Sequence, residues 1–300
     1  MGSEMCIRDR LYLLLIFMLC GCSIDKRATT KTVDVSPYLY KISDNNNHYL
    51  YLLGTCHPGR DQIDKLDITT EKAIKDSQSI VLECSLDQNE TAKYQNYLLE
   101  NSLGELDLIN YIPKLKENYP TLKKYRVNEF NAMAVSSLVT SDILDEVDGN
   151  NSTSIDVYLF NLTRSKRIPF EEMEGIEFQM QLFSQLSKES PHAILESLKD
   201  RQQLIKSTKL ILDSYYNHDL DTLATIYSYQ ELPDSEYQQE YQNYQQLLII
   251  DRNQTMQAKI IEYLNQNKVV FIGVGVGHVV GDLGLITSLS AAGYKVEKLG

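Results

Sequence analysis

The chain has 300 residues, with 41 acidic against 29 basic side chains and a formal charge of −12. No Lys/Arg cluster stands out, so the basic footprint that nucleic-acid binding requires is missing and nucleic acid is not an expected partner. The length allows one sizeable core or two merged lobes, and the acidity suits a solvated exported protein rather than any particular partner.

Residues 1–21 read as a secretory signal. Arg8 and Arg10 precede an apolar stretch over 11–19, and small or thiol residues follow. That stretch is shorter than the roughly 20 residues of an ordinary membrane-spanning helix. Leu19-Cys20-Gly21-Cys22 resembles a bacterial lipobox. The resemblance implies cleavage before Cys22, lipid attachment to its thiol, and a mature protein anchored in the cell envelope, at the outer membrane or the cell surface. A plain cleaved signal and an uncleaved anchor are the alternatives. Residues 22–37 are polar and read as a tether, and residues 38–300 as a single domain.

Within that domain, residues 40–42 and 49–54 are predicted to pair as strands across the polar turn 43–47. A helix over 69–76 and a buried strand over 79–84 follow; strand, helix, strand in that order points to a parallel βαβ unit. From residue 87 to 256 the pattern is mostly helical. Apolar residues recur at three- and four-residue spacing over 129–144 and 152–162, with a loop over 145–151 between them. Residues 167–173 form a short strand, a helix over 176–186 opens a helical run through 226, and the Gln-, Tyr- and Glu-rich stretch 231–246 reads as an exposed helix or a linker. The last segment is a helix over 252–266, then a strand over 268–274 so continuously apolar that both its faces must be covered. A Gly-rich turn over 275–284, a helix over 285–292 ended by Gly293, and a closing strand over 294–299 complete the chain. The class is α/β: a mixed, largely parallel sheet flanked by helices, with a mostly helical middle insertion.

Histidine is scarce, with five in the chain, and two of them end matched phrases. Gly54-Thr55-Cys56-His57 and Gly275-Val276-Gly277-His278 each follow an apolar run where a strand should stop. The polar residues at the C-terminal ends of the predicted parallel strands are His57, Glu83, Glu174 and His278. Ligands gather at that edge of open α/β sheets. Two imidazoles with two carboxylates suit a divalent metal with an open position, and manganese, cobalt and zinc all accept such donors. Each residue also has a plain reading: a hydrogen-bonded turn for either histidine, a solvent-facing strand end for Glu83, and an acidic edge with Glu171 and Glu172 for Glu174. Cys56 and Cys84 either pair in an oxidising compartment or fill the sheet's far face. No Gly-x-Ser-x-Gly elbow and no His-Glu-x-x-His helix is present.

With Ile80-Val81-Leu82-Glu83, the two histidine motifs resemble the TraB/GumN/PrgY family, which includes the Tiki metalloproteases. The resemblance covers residues 39–299. It is carried by residues 53–57, 80–83 and 272–281 with Gly293-Tyr294, and more weakly by Ile155-Asp156, by Met173-Glu174 with Glu177 and Gln179, and by Asp251-Arg252-Asn253. Cys56 and Cys84 depart from the family pattern. The resemblance implies a fold similar to erythromycin-esterase-like and ChaN-like proteins. For Tiki-like members it implies metal-dependent peptide cleavage with the paired histidines and a glutamate essential; for PrgY-like members, lowered activity of a secreted peptide pheromone.

The expectation is therefore an exported, lipid-anchored, metal-dependent hydrolase acting on a peptide or protein. His57 and His278 would bind the metal or act on its water, Glu83 would be a third ligand or the general base, and Glu174 would be a ligand or a partner that supports one. Arg252 would hold a substrate carboxylate or the tetrahedral intermediate, or else form a structural ion pair. Asp156 would orient an imidazole or serve as a helix N-terminal charge, with Asn253 and Gln179 in support. Two other readings stay open: a non-catalytic lipoprotein that sequesters a peptide or haem-like ligand at the same rim, and a metal-independent esterase-like hydrolase with His57 as base and Glu83 as its partner.

Overall fold

The computed structural model describes residues 32–60, 63–87, 90, 106–148, 153–228 and 236–300. The expected signal, Cys22 and most of the expected tether lie outside the described residues. The strands are β1 (Thr32–Val33), β2 (Leu39–Ser43), β3 (Tyr49–Thr55), β4 (Lys65–Leu66), β5 (Ser79–Leu82), β6 (Phe170–Glu172), β7 (Val270–Gly275) and β8 (Lys295–Lys298). The helices are α1 (Ile68–Asp76), α2 (Leu106–Ile109), α3 (Ile112–Asn118), α4 (Ala132–Asp148), α5 (Ile155–Lys166), α6 (Ile176–Glu189), α7 (Pro191–Ser197), α8 (Arg201–Tyr216), α9 (Leu220–Tyr227), α10 (Gln238–Gln245), α11 (Asp251–Asn265), α12 (Val276–Val279) and α13 (Leu285–Ala291).

Six strands form the main sheet in the order β6-β5-β7-β3-β2-β8. β6, β5, β7 and β3 run parallel, while β2 is antiparallel to both β3 and β8, so the sheet is mixed and largely parallel. The hairpin β2–β3 and the unit β3-α1-β5 occur as their sequence patterns predict. β3 and β5 are not neighbours, however: β7, arriving from the far end of the chain, lies between them. All six β7 residues are buried, which is what a strand without polar alternation requires. α1 starts sharply because Asp67 caps it, its carboxylate accepting the Thr70 N–H at 2.8 Å.

One apolar cluster joins the sheet to residues of α1, α5, α9, α11 and the C-terminal half of α8. A second fills the helical middle between α3, α4, α6, α7 and the N-terminal half of α8.

Several local expectations are revised. Residues 32–37 are built into the fold rather than tethering it: β1 pairs with β4, and Val35 is fully buried with its N–H donating to Asp67 at 3.1 Å. The alternation of Val33 and Val35 with polar neighbours is short, and their polar context masks it. α4 extends through residue 148, into the expected loop. α10 is not a plain exposed helix, because Tyr244 and Gln245 are buried and Tyr244 enters the second cluster, joined by Leu248 and Ile249 of the turn that follows. Residues 275–284 are not all turn, since α12 carries His278. Cys56 and Cys84 are buried as thiols, in keeping with the filler reading.

Candidate functional site

The strand order sets the site. Because β6, β5, β7 and β3 are consecutive and parallel, Glu174, Glu83, His278 and His57 follow one another along a single sheet edge. Adjacent strands are about 4.8 Å apart, so each group begins within one side chain's reach of the next. The two histidine motifs are direct neighbours, with Thr55 paired to Gly275 and Gly54 to Val274. A Cβ on Gly54 would lie 3.1–3.3 Å from Val276 backbone and side-chain atoms. The first motif's glycine thus makes room for the second motif's turn.

His57 is fixed by α5. Its Nδ1–H donates to Asp156 Oδ2 at 2.9 Å, while Asp156 Oδ1 accepts the Thr55 hydroxyl at 2.7 Å. Burial works against a charged ring here, but the charge and hydrogen bond of Asp156, with Glu83 behind it, outweigh that and lift His57 to about 9. His278 is fixed by α11. Asn253 donates from Nδ2 to the Leu283 carbonyl at 2.6 Å, which assigns its Oδ1 as the acceptor of His278 Nδ1–H at 2.7 Å. Burial and the nearby Arg252 guanidinium push His278 down to about 3, so it is neutral with its lone pair on Nε2.

The carboxylates meet a cation that the chain itself supplies. Arg252 is 3 % exposed and donates from Nη2 to Glu83 Oε2 at 2.6 Å. It also grips Glu174 with two bonds, Nε to Oε1 at 2.7 Å and Nη2 to Oε2 at 2.8 Å. Burial opposes the guanidinium charge, but Glu174 and Glu83 hold it well above its ordinary value. Glu83 Oε1 accepts the Gly275 N–H at 2.7 Å. Burial alone would raise Glu83, yet Arg252, the two imidazoles and that N–H bring it down to about 2. Burial raises Glu174, and Arg252 offsets part of the rise. Gln179 completes its shell, Nε2 to Oε2 at 2.6 Å. A π-helical turn at Gln246–Ile250 precedes α11, whose consecutive residues Arg252 and Asn253 are both buried.

Of the two carboxylates Glu174 is the deeper, its side chain 1 % exposed against 11 % for Glu83, and it takes two bonds from Arg252 and one from Gln179. His57 and His278 each anchor Nδ1 to a protein acceptor, which orients Nε2 as metal-binding histidines require. Glu83 carries one donor on each oxygen, and each oxygen keeps a second lone-pair site. By donor type and orientation, His278 and Glu83 fit a divalent ion, and His57 fits once an ion displaces the Nε2 proton that Asp156 helps it retain. Among the described residues, no group of three or more His, Cys, Asp or Glu side chains is drawn together closely enough to hold one without adjustment.

Reading the sequence missed two contributors, the Thr55 hydroxyl and the Gly275 N–H. Thr55 lies inside the first motif, but only the position of α5 gives its hydroxyl a task.

Fold and rim together define an α/β protein with an imidazole–carboxylate site at the C-terminal edge of its parallel strands. The model of the TraB/PrgY/gumN family matches residues 38–298, and the chain belongs to that family. No curated protein and no solved structure matches it.

Proposed function

We propose that the chain is a cell-envelope hydrolase that cleaves a peptide-type substrate at the rim of His57, Glu83 and His278. The pair of imidazoles carries this reading: two neighbouring strand ends each deliver a histidine whose Nδ1 is tied to an anchored acceptor. His57, His278 and Glu83 would hold a divalent ion, manganese, cobalt or zinc. Such an ion, when bound, polarises a carbonyl and lowers the pKa of water. Asp156 and Asn253 keep the two Nε2 atoms aimed. Arg252 keeps Glu83 ionised and in place; at 3 % exposure it serves the site as an internal ion pair rather than as a substrate clamp. Export and lipid attachment at Cys22 belong to the same proposal and rest on residues 1–22 alone.

One observation favours a second, metal-free reading. His57, lifted to about 9 beside Asp156, holds a proton at neutral pH. It can give that proton from Nε2 to a leaving nitrogen while the Glu83 carboxylate takes one from water.

The test uses purified protein, native mass spectrometry for metal content, and turnover of a peptide pool with and without chelator. Cleavage abolished by chelation, restored by metal, and reduced at least about 100-fold by His57→Ala or His278→Ala is the expected result. Parental metal content and turnover in both variants would overturn the proposal. Cleavage that survives chelation but is lost in His57→Ala selects the metal-free reading. Peptide binding without cleavage selects sequestration.

A further inference from the structure

We infer that Thr55 is a positioning residue that acts on His57 through Asp156; this rests on His57 being a functional imidazole. Thr55 closes β3 and is fully buried. Its main chain is fixed by pairing with Gly275, so the hydroxyl is free of any strand-forming duty. Oγ1 donates to one oxygen of Asp156 at 2.7 Å while the other oxygen accepts His57 Nδ1–H at 2.9 Å.

Asp156 lies in the first turn of α5, where an acidic residue ordinarily serves the helix end. That duty is already filled: Ser154 is the cap, its hydroxyl accepting the Val157 N–H at 3.2 Å. Both Asp156 oxygens are therefore spent on the rim. A carboxylate rotates readily about its last torsion, and a single bond to an imidazole leaves that rotation open. A donor on the second oxygen closes it.

The second motif explains why the donor must be a hydroxyl in the first. Val276 stands there where Thr55 stands here, and no hydroxyl is needed. Asn253, which orients His278, owns an N–H donor and anchors itself to the Leu283 carbonyl at 2.6 Å. Asp156 is acceptor-only when ionised and cannot anchor itself that way. The two imidazole partners are thus each held by one further bond, supplied by opposite partners.

The experiment measures exchange of the His57 Nδ1 proton with water by nitrogen-edited NMR on the full chain. Thr55→Val removes the hydroxyl at nearly constant shape, Thr55→Ser keeps it, and Asp156→Ala supplies the other side of a double-mutant cycle. Thr55→Val should speed exchange about tenfold or more, Thr55→Ser should stay within about twofold of the parent, and Thr55→Val should add nothing to Asp156→Ala. Parental exchange in Thr55→Val, or an equal acceleration in the Asp156→Ala background, would overturn the inference. Where Thr55→Val does not fold, the contrast of Thr55→Ser with Thr55→Ala decides. On any peptide the chain cleaves, kcat should fall about tenfold in Thr55→Val with KM unchanged. If no peptide is cleaved, the functional reading fails, while proton exchange still decides the role of Thr55.

Discussion

Arg252 brings one buried positive charge to two buried carboxylates, and its geometry is specific. Nε and Nη2 match both oxygens of Glu174, and Nη2 also reaches Glu83. Truncating a buried ion pair is costly because the partners stay behind, desolvated and uncompensated. Arg252→Met should lower stability by about 3–5 kcal/mol in urea denaturation. Arg252→Lys should recover only part of that, since an ammonium cannot make the forked contact. A stability for Arg252→Met within about 1 kcal/mol of the parent would mean that the carboxylates are protonated and the ion pair is not what holds them. The sequence presents Arg252 beside Asp251 and Asn253 with nothing to separate a substrate clamp from a structural partner. What the fold adds is the pairing itself, with Arg252 buried beneath the rim between Glu83 and Glu174.

At the scale of elements, the rim depends on how β6 hands over to α6. Gly175 sits at that junction with φ +90° and ψ 162°, a region nearly closed to residues with a Cβ, and no atom lies within 4 Å of where that Cβ would be. The cost of a side chain there is thus backbone strain alone. Gly175→Ala should destabilise by about 1–3 kcal/mol in thermal or urea melts. An unchanged melt would show that the junction relaxes freely. In the middle of β6, Glu171 accepts Ser79 Oγ and Lys268 Nζ, each at 2.6 Å, and so ties β6 to β5 and to the approach of β7. Burial raises this carboxyl, but those two donors outweigh it and set its folded pKa below the ordinary 4.5. Its contribution is full above about pH 4.5 and is lost as pH falls through the lower folded value. Because the group is partly in water, the contribution is no more than about 1 kcal/mol. Glu171→Gln should therefore flatten the acid limb of a stability–pH curve and leave the slope above pH 6 unchanged. An acid limb as steep as the parent's would remove Glu171 from the account.

For the whole molecule, β7 is the centre: both neighbours are parallel, all its residues are buried, and one of its ends carries His278. Opening it requires near-global unfolding, whereas β8 is an edge strand with mostly exposed residues. In native-state hydrogen exchange the β7 amides should open with the global free energy and those of β8 with several kcal/mol less. Equal protection in both would contradict this hierarchy. Much of the assembly was legible in the chain. Continuous apolar runs marked β3, β5 and β7, helical spacing marked α1, α5 and α11, and the polar residues following the strands marked the rim, because period and punctuation are local properties. Three things were not legible. The lodging of β7 between β3 and β5 depends on pairing between segments about 190 and 220 residues apart, which no local pattern encodes. The commitment of Glu174 to Arg252, and the service of Thr55 to Asp156, arise because α11 and α5 dock against particular strand ends. By itself, then, the sequence determined the α/β class and the identity of the histidines and glutamates at the rim. Only the tertiary structure decided which of them are neighbours and which are already paired, since hydrogen bonds and ion pairs are satisfied in space and not along the chain.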